Sequence, residues 1–488
     1  MSYTNRLLLT ICSSALGIAA LTVHATTIMV TNTNDSGLGS LRGAIAAAGD
    51  GDVIVFDPAL KGQTITLTSD ELFINNNLTI TGPGPSQLTV KRSTEGGTPP
   101  FRIFHILEHT VTIEGLSIIN GLAPGNATGP GGGIFCEDEE FNNERLAVTV
   151  NNCVISGNTA GGGSGFGGGG GISFAALNDF APSTLTVSNC TISGNTLVEP
   201  SSSIGGGGIF IVVHDHTAMS SVTISNSTIS GNSADGVGGG IDNYGTVPTA
   251  VLMITNSTLS GNTASSFGGG IYNYGDFGAN ATLRINNSTL SGNSANSGGA
   301  IYNTGSHFGG TAALDIGDTI LNSGPTGGTL FNDGGTVTSL GYNLSSDDAG
   351  GNLNGPGDQI NTDPLLGPLQ DNGGPSFTHE LLPGSPAIDA GDPNFTPPPF
   401  FDQRGPGFER VVNGRIDKGS FEMQGPTPTP TPTATATPTA TATATVTTTP
   451  AGTPSATPTA TLTPTPRPTP TARPNVTPRP RSTPPPRP

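Results

Sequence analysis

Residues Val251–Gly275 read V-L-M-I-T-N-S-T-L-S-G-N-T-A-S-S-F-G-G-G-I-Y-N-Y-G. Three short apolar pieces stand out: Leu252 with Ile254, then Leu259, then Ile271, with Asn, Ser and Gly between them. None is longer than a strand, and none has the 3.6-residue spacing of an amphipathic helix. The unit recurs. One column runs Gly115, Asn152, Asn189, Asn226, Asn256, Asn287, Asp318, at spacings of 37, 37, 37, 30, 31 and 31 residues. A second, at the same spacings, runs Gly121, Asn158, Asn195, Asn232, Asn262, Asn293, Gly324. A third is the apolar residue closing each glycine-rich run: Ile134, Ile172, Ile209, Ile241, Ile271, Ile301, Leu330. A strand this short cannot bury its apolar face alone, but stacking it on its counterpart in the next repeat buries both. The pattern therefore predicts an all-β, right-handed parallel β-helix of three sheets, with coils about 4.7–4.9 Å apart.

The columns account for the composition. Asn152 to Asn287 suit a bend in which amides bond to the coils above and below, because Asn also tolerates a left-handed backbone. The glycine runs suit a corner where coils approach closely. A further column, Asn243, Asn273, Asn303 and Asn332, follows the inward Ile by two residues in the last coils. Earlier coils hold Cys136, Phe174 and Ile211 there, so the interior is expected to change character partway along.

Residues 1–25 have the form of a secretory signal: Arg6, the apolar Leu7–Val23, and Val23-His24-Ala25 as a cleavage site. The expected location is outside the cell or on a bacterial cell surface, with no integral membrane segment in the mature chain. Residues 26–110 are expected to form an N-terminal cap and the first coils, with a helix at Leu41, Ala44, Ile45 and Ala48. Residues 111–335 are the regular coils, and residues 336–424 are expected to close the C-terminal end. Residues 425–488 are almost only Pro, Thr and Ala with five Arg, the composition of a disordered, partly polyproline spacer. Between the signal and Gln424, 11 Lys and Arg face 35 Asp and Glu, a net charge of −24. That balance argues against nucleic acid and anionic membranes as partners. Cys153 and Cys190 share a column with Ser227, Ser257 and Ser288; stacked thiols are favoured over a disulfide, whose geometry is demanding.

Gly298-Gly299-Ala300-Ile301 and the Ile155-x-x-Asn158, Ile192-x-x-Asn195 and Ile229-x-x-Asn232 pairs resemble the repeats of chlamydial polymorphic outer membrane proteins, which implies a surface adhesin. Thr31–Gly37 followed by Gly39–Ile45 resembles the start of secreted proteins with a CSLREA-type N-terminal domain. Asp363–Leu366, Gly384–Gly391, Asp402–Gly405 and Gly414–Glu422 are similar to the choice-of-anchor Q domain, which implies export and surface attachment.

Candidate chemistry is thin. His214-Asp215-His216 puts two imidazoles on one face of an extended segment, where they could share a divalent metal, but a solvated loop explains them as well. Glu137 and Asp138 begin an acidic run that could hold Ca²⁺, or could keep a loop in water. The pectate-lyase-like solenoid also carries polysaccharide lyases and hydrolases. For that chemistry Asp235, Asp242 and Asp276 in neighbouring coils, with Arg284, are the available groups. Asp242 shares an outward column with Tyr272, Tyr302 and Phe331, which would form a shallow groove. No cofactor is implied beyond Ca²⁺. The preferred reading is a non-enzymatic structural or adhesive protein contacting polysaccharide or a neighbouring surface; the alternative is a polysaccharide-cleaving or glycan-binding module.

Overall fold

Alternation within each apolar piece sends Leu252 and Ile254 inward, opposite Leu283 and Ile285 of the next coil, and all four are fully buried. Each such side chain contributes about 1.5–3 kcal/mol by leaving water. The computed structural model describes residues 25–123, 131–138, 145–161, 168–177, 182–198, 204–214, 220–247, 249–305 and 308–425. Apart from Ala25 and Gly425, the expected signal and the Pro/Thr-rich spacer lie outside them. The strands stack in parallel as a right-handed β-helix. Sheet 1 has 11 strands, from Thr27–Val30 to Thr336–Gly341. Sheet 2 has 10, from Gln63–Leu67 to Leu344–Ser345, and sheet 3 has nine, from Leu72–Ile74 to Leu330–Asp333. A fourth ladder of five very short strands, Leu122–Ala123 to Thr263–Ala264, follows sheet 2 and adds to the three sheets expected.

The asparagine columns divide the labour. Asn152, Asn189, Asn226, Asn256, Asn287 and Asp318 turn the chain between sheets 1 and 2 in the left-handed region, with φ from 48° to 54°. The continuous amide ladder runs instead in the second column. Asn158 Nδ2 donates to Asn195 Oδ1 at 3.0 Å and to Ile118 O at 3.0 Å, while its backbone N–H reaches the same Asn195 oxygen at 3.0 Å. The pattern repeats to Asn293, where Asn262 Nδ2 donates at 2.8 Å. These amides are fully buried, and their near-complete pairing is what lets a polar column stand inside the rod. At the glycine corner a Cβ on Gly207 would collide with the Gly239 carbonyl oxygen, so the coils meet backbone to backbone.

The helix Leu41–Ala47 covers the N-terminal end of the core. Ser40 caps it by accepting the Gly43 N–H at 3.0 Å, and Leu41, Ala44 and Ile45 are buried. The segment after Gly335 does two jobs where one was expected. Ala349 and Leu353 join the main core and close its end. Residues 366–423 then run back as a lobe along the outer face of sheet 2. Gln403 Nε2 donates to Thr228 Oγ1 at 2.9 Å, Thr258 Oγ1 donates to Gln403 Oε1 at 2.6 Å, and Ser420 N donates to Thr289 Oγ1 at 3.0 Å.

Candidate binding cleft

The strands Ile241–Val247, Ile271–Gly275, Ile301–Gly305 and Leu330–Asp333 of sheet 3 alternate Ile or Asn inward with aromatic residues outward. Their register aligns Asp242, Tyr272, Tyr302 and Phe331 in one outward column, and Tyr244, Tyr274 and Thr304 in a second. The rings stack along the helix axis. Centroids are 5.6 Å apart for Tyr272–Tyr302, 5.2 Å for Tyr302–Phe331 and 5.5 Å for Tyr244–Tyr274. Phe267, from the turn before its strand, adds a ring 4.6 Å from Tyr302. Four of the chain's six tyrosines are in this stack. With Phe308, Thr304 and Asp333, Phe267, Tyr272, Tyr274 and Tyr302 bound a cleft of about 520 Å³, and no Lys or Arg lines it among the described residues.

Carboxylates edge the tyrosines. Asp333 Oδ2 accepts the Tyr302 hydroxyl at 3.1 Å, and Asp276 Oδ2 lies 3.4 Å from the Tyr244 hydroxyl. Burial, then the neighbouring Asp333, push the Tyr302 phenol up to about 12; burial and nearby carboxylates raise Tyr244 and Tyr272 further. The phenols are therefore neutral hydrogen-bond donors across the physiological range. Asp242 is fully buried; its Oδ2 accepts the Gly205 N–H at 2.7 Å and its Oδ1 has no partner. Burial pushes its carboxyl up to about 8.

The candidate residues of the alternative, polysaccharide-cleaving reading lie on different parts of the rod. Asp242 and Asp276 share the outer side of sheet 3, but Asp235 is an exposed turn residue whose carbonyl accepts from Ser265. Arg284 belongs to sheet 1, where it pairs with Asp315 at 3.3 Å with 53% of its side chain exposed. The regular repeat placed the aspartates by coil, but the sheet on which Arg284 sits removes it from them. The acidic-run reading also fails for Asp138. It is 2% exposed and accepts from Leu177 N and Ser183 Oγ, each at 2.5 Å, which staples two coils together. Glu137 accepts from His105. His214 ends the strand Ile209–His214; its side chain and His216 lie outside the described residues, so the metal reading has no geometry.

A second cluster on sheet 3 does not show in the asparagine and glycine columns. His105 sits between Glu71 (Nδ1 to Oε1, 2.8 Å) and Glu137 (Nε2 to Oε1, 2.8 Å), and Glu71 also pairs with Arg102 at 2.9 Å. Burial opposes the imidazolium, but the Glu137 and Glu71 bonds outweigh it and raise its pKa. Burial likewise opposes ionised Glu71, yet His105 and Arg102 hold it below the usual range. Phe73, His105 and Phe135 form a ring column, spaced by 32 and 30 residues in the sequence.

The residues similar to the choice-of-anchor Q motif have structural work here. Asp402, Gln403, Arg404, Asp417, Lys418, Ser420 and Glu422 are all buried in the lobe. Arg404 pairs with Asp402 at 2.5 Å and lies between the rings of Phe408 and Phe421, 3.9 and 3.8 Å from their centroids. Cys153 and Cys190 are free, buried thiols, with Cys153 N donating to Cys190 Sγ at 3.4 Å. Among the described residues no helix is long and apolar enough to cross a membrane.

No protein-family model matches the chain, and no curated protein does. Among solved structures the chain is similar to the crystal structure of pectate lyase Pel9A, at 12% identity and a TM-score of 0.42, covering 82% of this chain and 96% of that one. A likeness at that level carries no argument about chemistry; the β-helix stands on the strand register itself.

Proposed function

We propose that the protein is an exported β-helix that acts at a cell surface or outside the cell by adhesion, holding its partner in the tyrosine cleft without cleaving it. The observation that carries this reading is the cleft: a stack of aromatic rings, open on one side, edged by neutral phenols and carboxylates. Concave aromatic surface with a few placed polar groups is the usual makeup of a binding site. The separation of Arg284 from Asp242 and Asp276 supports binding over lyase chemistry, which needs a cation beside the reacting sugar. The signal-like N-terminus and the resemblances to polymorphic membrane protein repeats, CSLREA-type proteins and the choice-of-anchor Q domain support export and surface attachment.

The test is to incubate the full chain with a panel of neutral and anionic polysaccharides and cell-surface proteins, with and without Ca²⁺, and score retention and bond cleavage separately. Retention without cleavage, weakened by substitutions in the cleft, is the expected result. Cleavage that disappears in Asp242→Asn or Asp276→Asn would replace adhesion with a polysaccharide hydrolase or lyase.

A further inference from the structure

The cleft's shape and charge also select a class of partner, an assignment that rests on its being a binding site. Three features constrain the occupant. First, charge: Asp333 edges the cleft, Asp276 lies nearby on the same outer side, and no Lys or Arg lines it among the described residues. The mature body around it carries −24. A cationic partner is drawn in, and an anionic polymer is repelled. Second, surface: the rings stack on one another along the axis, so their edges form an aromatic strip that gains one ring per coil. Third, pitch: coils rise about 4.7–4.9 Å, so rings two coils apart, such as Tyr272 and Phe331, are separated by roughly 9.6 Å along the axis.

A polyproline II strand advances about 3.1 Å per residue and three residues per turn, or roughly 9.3 Å. Laid along the rod, it would present the same face at every second coil. It makes no internal hydrogen bonds and has little conformational entropy left to lose, so ring contacts alone can hold it, as aromatic-lined grooves do elsewhere. We propose that the tyrosine cleft binds a proline-rich, arginine-bearing segment of a partner protein in the polyproline II conformation, with prolines packed against the ring edges and a guanidinium at Asp333. Asp333, Phe308 and Phe267 are exposed at that site; Phe308 is 72% exposed.

The probe is a synthetic peptide repeating Pro-Thr-Arg for about five turns, titrated onto the full chain by fluorescence anisotropy. Two control peptides replace Pro with Gly or Arg with Gln. The parent peptide should bind, and each control should bind at least about fivefold more weakly. Phe308→Ala and Asp333→Lys should each weaken the parent peptide by about fivefold or more with unchanged thermal unfolding. Asp333→Lys should also remove most of the salt dependence. Equal binding of the Gly and Pro peptides would overturn the proposal, as would indifference to both substitutions. If no peptide binds but a neutral polysaccharide is retained in a Phe308-dependent way, the peptide assignment falls and the adhesive reading stands. If neither is retained, both fall.

Discussion

From Leu72 to Ile209, sheet 3 turns Ile106, Cys136, Phe174 and Ile211 inward and His105, Phe135, Ser173 and Phe210 outward. From Ile241 to Leu330 the same two columns hold Asn243, Asn273 and Asn303 inward, and Asp242, Tyr272, Tyr302 and Phe331 outward. The backbone ladder continues across the change. Phe135, Phe210 and Val212 form an apolar cluster outside the sheet that runs across the change into Tyr244, whereas beyond it Tyr272, Tyr302 and Phe267 border an open cleft. A parallel ladder therefore fixes where a side chain sits but leaves its chemistry free, provided a whole column changes together. The strain of the change falls at the seam. Asn243 meets Ile211 and Asp242 meets Phe210 across one strand pair, and Asn243 Oδ1 and Asp242 Oδ1 are both buried without a partner. Away from the seam the amides pair, as in Asn273 Nδ2 to Asn303 Oδ1 at 2.7 Å.

The largest effects should separate the two interiors. Phe174→Ala removes a fully buried ring and should cost about 3–5 kcal/mol in urea unfolding. Asn273→Ala should cost about 2–4 kcal/mol, because it strands polar groups of Asn243 and Asn303 together. A cost near zero for Asn273→Ala would mean the amide column is ornamental. At the seam, Ile211→Asn should cost about 1–3 kcal/mol less than Phe174→Asn, since only the former amide can reach the orphaned Asn243 oxygen. Equal costs would remove the seam from the account.

Smaller effects depend on pH, and the two halves differ in window. Asp242 is raised from 3.8 to about 8 in the folded protein, so its contribution is complete only below pH 3.8 and is lost as pH rises through about 8. Asp242→Asn should accordingly gain in melting temperature over the parent as pH rises from about 4 to about 8, and level off above. His105 is raised above 6.5, so its contribution is present below 6.5 and lost as pH climbs through the folded value. Glu71 is lowered beneath 4.5, so its share is present above 4.5 and lost in acid. The first half should be tied best between 4.5 and 6.5, and His105→Gln should flatten the alkaline side of that window. The smallest expected effect is no reaction at all: Cys153 and Cys190 should resist alkylation until the chain unfolds, because they are buried and burial raises the Cys190 thiol well above its ordinary value.

Much of this was legible in the repeat. The columns placed Asn152, Asn158 and Asn243 at corners and in the core, and they put Asp242 beside Tyr272, Tyr302 and Phe331. What the columns could not show was which corner carries the hydrogen-bonded ladder, since both are asparagine. The fourth ladder is two or three residues per coil, too short for any periodicity. Phe267, Phe308 and Asp333 reach the cleft from turns or strand ends, where spacing says nothing about direction. The lobe's position was hidden because its contacts, such as Gln403 with Thr228, join residues 175 apart through single polar side chains. Those contacts make Thr228, Thr258 and Thr289, each two residues after the left-handed Asn226, Asn256 and Asn287, the hydroxyl column on which the lobe sits.

Because Asn226, Asn256 and Asn287 mark the same corner at intervals of 30 and 31 residues, the rod is graduated. Excision of one interval would return every later column to its register, one rung lower, whereas loss of a few residues keeps the register only where a turn or loop absorbs it, as between the intervals of 37, 30 and 31 residues. The molecule's length can therefore change by recombination only in whole rungs of about 4.8 Å. The number of rungs between the His105 clasp and the tyrosine cleft is a heritable measure of how far apart the two lie.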